Sequence, residues 1–256
     1  MVIDLYGLSE AQVRKAYPAI YQHLLQTVKP ERDQNNDKSR RENWWLFGRS
    51  NSELRAAIAS LSRYIATVET AKYRLFQFLD ATTVPDNRLI VFASADAFHL
   101  GVLSSRFHVV WALAAGGLLE DRPVYNKTRC FDPFPFPDAT EAQVAIIRDL
   151  AEEIDQHRKR AQAAGVGLTT QYNLLERLRG GEALTAQEQA LDAKGLVSLL
   201  LELHRKLDAA VSEAYGWPVT LADAEILTRL VALNQQRAAE EAQGTIRWLR
   251  PGYQTG

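Results

Sequence analysis

The residues of this 256-residue chain that could do chemistry cluster first in SRRENWWLFGRSNSELR, where Arg40, Arg41, Arg49 and Arg55 surround Trp44, Trp45 and Phe47, and Ser50, Asn51 and Ser52 follow in a turn. Guanidinium forks beside short amides and hydroxyls are the groups that grip phosphate oxygens and the edges of guanine and adenine. A plainer reading keeps the tryptophans as core anchors with solvated arginines around them. The combination of hydroxyl, amide and cation recurs in SSRFH (Ser104, Ser105, Arg106) and YNKTR (Asn126, Lys127, Arg129), and Arg63 and Lys72 lie between the clusters. Three such groups point to a binding surface.

Catalytic signatures are missing from the same chain. It contains no glycine-rich phosphate loop, no G-x-S-x-G and no H-E-x-x-H. His99 and His108 flank LSSR, so a hydrolase built on Ser104 or Ser105 and one of these histidines is conceivable. Neither serine, however, sits in a nucleophile turn, and His108 fits better beside Trp111 on a helix face. Glu152, Glu153 and Asp155 resemble paired carboxylates but point in different directions from a helix, which makes them a solvated face. The single cysteine, Cys130, excludes an intrachain disulfide framework, and no cysteine–histidine set has zinc spacing. There is neither a leader-like amino terminus nor an apolar run of about 18 residues, so a cytoplasmic protein with no membrane partner is expected.

The elements that position these clusters fall into two patterns. Residues 1–137 mix helix and strand signals. A helix capped by Ser9 runs to about Val28 with a break at Pro18, a polar turn-rich stretch follows, and a helix capped by Ser50 or Ser52 comes next. RYIATVETAKYRLFQFL and NRLIVFAS have strand chemistry, a helix begins after Ser104 and stops at Gly116 and Gly117, and RPVYNKTRCF reads as a last strand. Residues 138–256 carry only helical periodicity, at 138–163 (capped by Asp138), 171–179, 185–191 (capped by Thr185), 194–215 and 221–242. Between the halves stands FDPFPFPD, whose Pro133, Pro135 and Pro137 allow neither helix nor a full strand ladder. The fold class expected is α+β: a mixed domain over 1–137, an extended joint over 131–137 and an all-helical domain over 138–256. Net charge is −1, but the first part holds 17 Lys and Arg against 14 Asp and Glu, and the second 13 against 17. That surplus permits a local phosphate-facing patch and excludes a non-specific nucleic-acid coat.

Taken together, WWLFGRSNSELR, HLGVLSSRFHVVWALAAGG, YNKTRCFDPFPFP, LTTQYNLLERLRGGEALT, LDAAVSEAYGWP and LVALNQQRAAEEAQGTIRWLRP resemble the carboxyl-terminal part of class I S-adenosylmethionine-dependent DNA methyltransferases. The type is the adenine-N6 enzyme of single-chain type II restriction-modification systems and related phage-defence proteins, and the resemblance extends from about Ile3 to Gln254. It implies a target recognition domain followed by a helical extension, with double-stranded DNA as partner and basic side chains within 40–74 and 104–129 on phosphates and bases. The proline-rich joint also resembles the end of recognition domains in type I specificity subunits. The family's glycine-containing cofactor motif and Asn-Pro-Pro-aromatic catalytic motif do not occur in these residues. The resemblance therefore implies that S-adenosylmethionine and methyl transfer belong to a catalytic domain, on the same or a separate polypeptide, and that this chain alone is not an enzyme. The competing reading is a helical protein–protein interaction module without DNA contact. Calorimetric titration of S-adenosylmethionine into this chain should give no heat of specific binding; a micromolar Kd would locate a cofactor site here and overturn the division of labour.

Overall fold

The computed structural model describes residues 2–247 and 249. The last part of the WLRP run, with Trp248, Arg250 and Pro251, and the rest of the expected helical domain to 256 lie outside the described residues. Contacts separate a unit ending at Ser60 from one beginning at Leu61.

The first unit is built from short helices: α1 (Glu10–Ala16), α2 (Pro18–Thr27), α3 (Lys29–Asp33), α4 (Lys38–Glu42) and α5 (Ser52–Ile58). Ser9 caps α1 in a reciprocal capping box with Gln12. Pro18 opens α2 at its first position, where its missing N–H costs nothing. The stretch expected to be turns folds instead as α3 and α4, the latter capped by Asp37. Helix α5 is preceded not by a serine cap but by Asn51 in the left-handed region (φ 50°), with no side-chain cap bond. Leu5, Val13, Trp44, Ala57 and Ile58 are buried. Trp44 lies 5.7 Å from the Tyr21 ring, and Trp45 donates its indole N–H to the Leu8 carbonyl at 2.9 Å. Both tryptophans are thus anchors.

The second unit begins with an antiparallel sheet of β1 (Arg63–Val68), β2 (Gln77–Asp80) and β3 (Leu89–Phe92) in the order β2-β1-β3. Two helices follow: α6 (Ala97–Ser104) and α7 (Arg106–Ala115). Helix α6 was not expected. Seven of its eight residues are buried, so it shows no polar stripe to reveal a helical period. The expected last strand is instead a hairpin, β4 (Gly117–Leu119) with β5 (Arg122–Val124), followed by a π-helical turn over Lys127–Phe131 that Asn126 caps. Extended backbone begins only at Phe134, so the joint is shorter than the expected 131–137.

Helices α8 (Glu141–Ala163), α9 (Leu168–Arg179), α10 (Ala186–Gly195), α11 (Val197–Tyr215) and α12 (Asp223–Ala242) complete the unit. No strand occurs between 140 and 242 among the described residues, and no described helix is long and apolar enough to cross a membrane. Thr185 caps α10 as expected, but Thr140, not Asp138, caps α8. Asp138 instead accepts from Arg237 of α12 at 2.8 Å. The joint is held by the last two helices. Asn234 donates to the Pro133 carbonyl and Tyr215 to that of Pro135 at 2.9 Å, while Phe134 packs on His108 with ring centroids 4.3 Å apart.

Helix α8 joins sheet to helices. It packs closely on α6 at Gly101, where an added Cβ would lie 2.6 Å from Ile147 Cγ2. Its Asp155 accepts the Phe78 amide at 3.1 Å, and its Arg158 donates to the Phe76 carbonyl at 2.7 Å, so two side chains one turn apart satisfy the free edge of β2. This overturns the reading of Asp155 as part of a solvated face: it is 3% exposed. Arg158 also donates to the Tyr172 hydroxyl, whose O–H is within 2.7 Å of His204 Nε2. Burial, with the Arg158 charge nearby, pushes His204 well below the ordinary histidine range and keeps it a neutral acceptor. Glu152 of the same helix pairs with Arg63.

The start of α7 is capped from a distance. Ser105 occupies the cap position, but its hydroxyl donates backwards to Val102, and Asp208 of α11 accepts the Arg106 amide at 2.8 Å. Burial raises the Asp208 carboxyl to about 6 against that bond, which opposes the rise.

Two outcomes follow from these contacts. Arg158→Ala leaves the Phe76 carbonyl and the Tyr172 hydroxyl short of a donor, at about 1–3 kcal/mol for each unsatisfied group. Lysine should not restore it, because a point cation cannot reach both acceptors as the planar fork does. Denaturant unfolding reads the loss, and a change under about 1 kcal/mol in the alanine variant would remove the edge clamp from the account. For Asp208, the folded state keeps a proton that the unfolded chain has released between 3.8 and about 6, so this group's contribution to stability falls as pH rises through that window. Asp208→Asn keeps an acceptor for the amide and abolishes the fall. The variant's advantage in unfolding free energy over the natural protein should grow across the window and then level off; a flat difference would mean that Asp208 titrates normally.

Candidate nucleic-acid interface

The residues with phosphate- and base-contacting chemistry divide into those occupied by intrachain partners and those that are free. In the first unit Arg55 is occupied. It makes a two-pronged pair with Asp4 at 2.8 and 3.1 Å and donates to the Ser50 carbonyl. Arg41 donates to the Asn35 carbonyl at 2.6 Å, and Arg40 has Asp37 at 3.6 Å from Nε. Arg49 and Asn51 are exposed, and Arg49 makes no ion pair among the described residues.

In the second unit Arg63 is the most committed. Its guanidinium bridges Glu152 and the Ala95 carbonyl and lies 3.6 Å over the Phe78 ring. Arg106 pairs with Asp223 at 2.6 Å and donates to the Leu221 carbonyl, tying α7 to the start of α12. Ser104 and Ser105 are both buried, so neither hydroxyl reaches the surface. Lys72 is exposed and shares Asn173 Oδ1 with the Tyr73 hydroxyl. Asn126, Lys127 and Arg129 stand exposed on the π-helical turn. Lys127 lies 4.0 Å from Asp132, and Arg129 makes no ion pair among the described residues. The turn presents them because Asn126 accepts the Thr128 amide at 3.0 Å and Cys130 is buried beneath, forcing the side chains between outward.

The hydrolase alternative has no geometry behind it. His108 is fully buried, its Nε2 lies 2.9 Å from the Tyr125 hydroxyl, and burial pushes it down to about 3. It packs on Phe76, Tyr125 and Phe134, not on Trp111 as expected. Among the described residues no serine at 104 or 105 bonds a histidine, and no group of three metal-ligating side chains forms.

Two basic residues were missed from sequence. Arg74 is buried and donates to the carbonyls of Val68, Glu69 and Pro123, holding the β4–β5 hairpin to the sheet; burial lowers its pKa. Arg32 lies beside Gly48 with Arg40. The period-two alternation of the strand that follows places Arg74 on the inward face with Phe76 and Phe78, but it places the exposed Lys72 on that face as well, so nothing in the local pattern separates the two.

Comparison with known proteins gives these units a family. Residues 8–138 match the family described as MmeI, target recognition domain. Over 156 residues the chain is 27% identical to DNA methyltransferase A of Bacillus subtilis (strain 168), covering 61% of this chain and 15% of that protein. Its fold is similar to that of the Type IIL restriction-modification enzyme MmeI, solved in complex with DNA, with a TM-score of 0.62 and 21% identity over 91% of this chain. The chain spans 15% of the length of the curated relative and 28% of the solved one. A family match over half of the sequence, running from the first helix to the end of the proline joint, makes the chain a member of the MmeI target recognition domain family.

Proposed function

We propose that this chain recognises a specific sequence in double-stranded DNA on behalf of an adenine-N6 DNA methyltransferase of a restriction-modification or related phage-defence system. The observation that carries the reading is the target recognition domain match over residues 8–138. The Bacillus subtilis relative is a DNA methyltransferase and the structural relative was solved with DNA. On this reading S-adenosylmethionine serves the catalytic domain, which flips the target base and transfers the methyl group. The recognition part is proposed to extend through 137, with helices from 138 onwards as its support and the docking face for that domain. In a bacterial cell this work is done in the cytoplasm.

On this reading the exposed side chains of each unit that have no carboxylate at hydrogen-bond distance do the contacting. Arg49, Asn51, Lys72, Asn126, Lys127 and Arg129 are available, with Arg40 and Arg41 partly so, whereas Arg55, Arg63 and Arg106 are held by carboxylates and Ser104 and Ser105 are inside. A cation that already has a carboxylate at hydrogen-bond distance must break that pair to meet a phosphate. Exposed cations need not. The reading therefore predicts a sorting. Arg49→Ala and Arg129→Ala should each weaken binding to duplex DNA and lower the salt slope by about one unit if they touch phosphate, or cost about 1–3 kcal/mol on the cognate site alone if they touch a base. Arg63→Ala and Arg106→Ala should instead lower the melting temperature. Fluorescence anisotropy over a salt series, with thermal melts alongside, reads both. Should Arg49 and Arg129 be silent on every duplex, or should the natural chain fail to bind duplex DNA at low salt, the interaction-module reading would take over.

A further inference from the structure

In the first unit the loop after Trp45 brings two guanidinium groups against one glycine. A Cβ on Gly48 would lie 2.9 Å from Arg40 Nε and 3.1 Å from Arg32 Nη1, so the absence of a side chain is what lets both cations fold over the backbone there. Like charges this close repel unless an anion lies between them. Asp37 answers that repulsion only in part, as an ion pair with Arg40 too long for a hydrogen bond. Asp37 stays 3.6 Å from Arg40 Nε and accepts the Ser39 amide at the start of α4, while Asp33 is taken by Lys29 at 2.7 Å. Arg40 Nε is itself buried and has no hydrogen-bond partner, and Arg32 has no ion pair among the described residues. Buried donors without acceptors are rare, and each asks for an explanation.

We propose that Arg32 and Arg40, folded over Gly48, form a built anion site that takes one backbone phosphate of the DNA. The assignment rests on the DNA-recognition reading for the source of the phosphate, and on the unfilled donors for the site itself. Two planar forks around one oxyanion satisfy the orphaned Nε and remove the repulsion between the cations. Such a contact carries no base information. It fixes the register of the unit on the duplex, so that Arg49, the exposed cation next along the chain, is delivered to a neighbouring position. Arg32 was not among the residues picked out from sequence, because KPERDQNND reads as a polar turn and only the folded loop brings its guanidinium to Gly48.

The test has two arms on the full chain. In the first, inorganic sulfate is titrated while the arginine Nε–Hε resonances are followed by NMR. The Arg40 signal should shift saturably, and Arg32→Gln should abolish the shift without changing the melting temperature. An unmoved Arg40 signal overturns the site, whatever the chain does with DNA. In the second, duplex DNA binding is measured across a salt series. Arg32→Gln and Arg40→Gln should each lower the slope of log K against log salt by about one unit. Gly48→Val, whose side chain occupies the space of the guanidiniums, should reproduce the loss with both arginines intact. Slopes equal to that of the natural chain in all three variants refute the phosphate assignment. If sulfate binds as described but the natural chain ignores duplex DNA, the DNA reading fails, and the phosphate source with it, while the anion site stands.

Discussion

The grip of α8 on the edge of β2 is the contact on which the second unit depends. A three-stranded sheet with a short outer strand exposes a row of unpaired amides and carbonyls on that strand, and a buried edge of this kind is costly unless something answers it. Asp155 and Arg158 answer it with one acceptor and one donor, spaced three residues apart so that both project from one helical face onto Phe78 of β2 and Phe76 just before it. The buried Arg158 cation in turn needs acceptors in a dry setting, and it finds the Tyr172 hydroxyl, which leans on a neutral His204. One side chain therefore binds strand β2 to α8, α9 and α11 at once.

The change from mixed to purely helical sequence at 137–138 consequently falls within a single packed unit that starts at Leu61. Phe98, Val102, Phe107, Trp111 and Phe134, from before that point, share one apolar cluster with Ile147, Leu175, Leu200 and Leu230 from after it. The proline joint works as part of this packing. Its prolines leave carbonyls with no strand partner, and Asn234 and Tyr215 supply the missing donors from α12 and α11. Its Phe134 packs against His108 and Trp111, and its Phe136 against His99 and Phe131. Stiff backbone with fixed apolar side chains positions the π-helical turn just before it, which carries Asn126, Lys127 and Arg129.

What could be read from sequence was whatever a local pattern encodes. The caps at Ser9 and Thr185, the break at Pro18, the strand chemistry of the two runs that hold β1, β2 and β3 and the helices after 140 are all written in spacings of two to four residues, though the first run was not divided into its two strands. Helix α6 escaped because a helix buried on every side has no polar face to mark its period. Asp155 was taken for surface because neighbouring Glu152 and Glu153 have the composition of a solvated stripe, and only tertiary contact shows which acid faces the strand. The arginines were the least legible. Arg55, Arg63 and Arg106 look like Arg49 and Arg129 in sequence, yet their carboxylates Asp4, Glu152 and Asp223 lie 51, 89 and 117 positions away. Family resemblance, by contrast, draws on long runs, and the match over 8–138 bears it out for that part of the chain.

This sorting of cations bears on how such a module could be selective. Each phosphate neutralised adds affinity for every sequence and steepens the dependence on salt, so a protein with many free cations binds everywhere. Here the surplus before residue 138 is only 17 basic against 14 acidic residues, and ion pairs tie down Arg55, Arg63 and Arg106. Arginines held in such pairs give the fold rigidity and add little to non-specific attraction. The few that remain free then contribute a larger share of whatever affinity there is, and a mismatch at one base contact, at about 1–3 kcal/mol, weighs heavily against so small a background. Holding several cations in ion pairs is thus consistent with a protein whose proposed task is to tell one site from its many near neighbours.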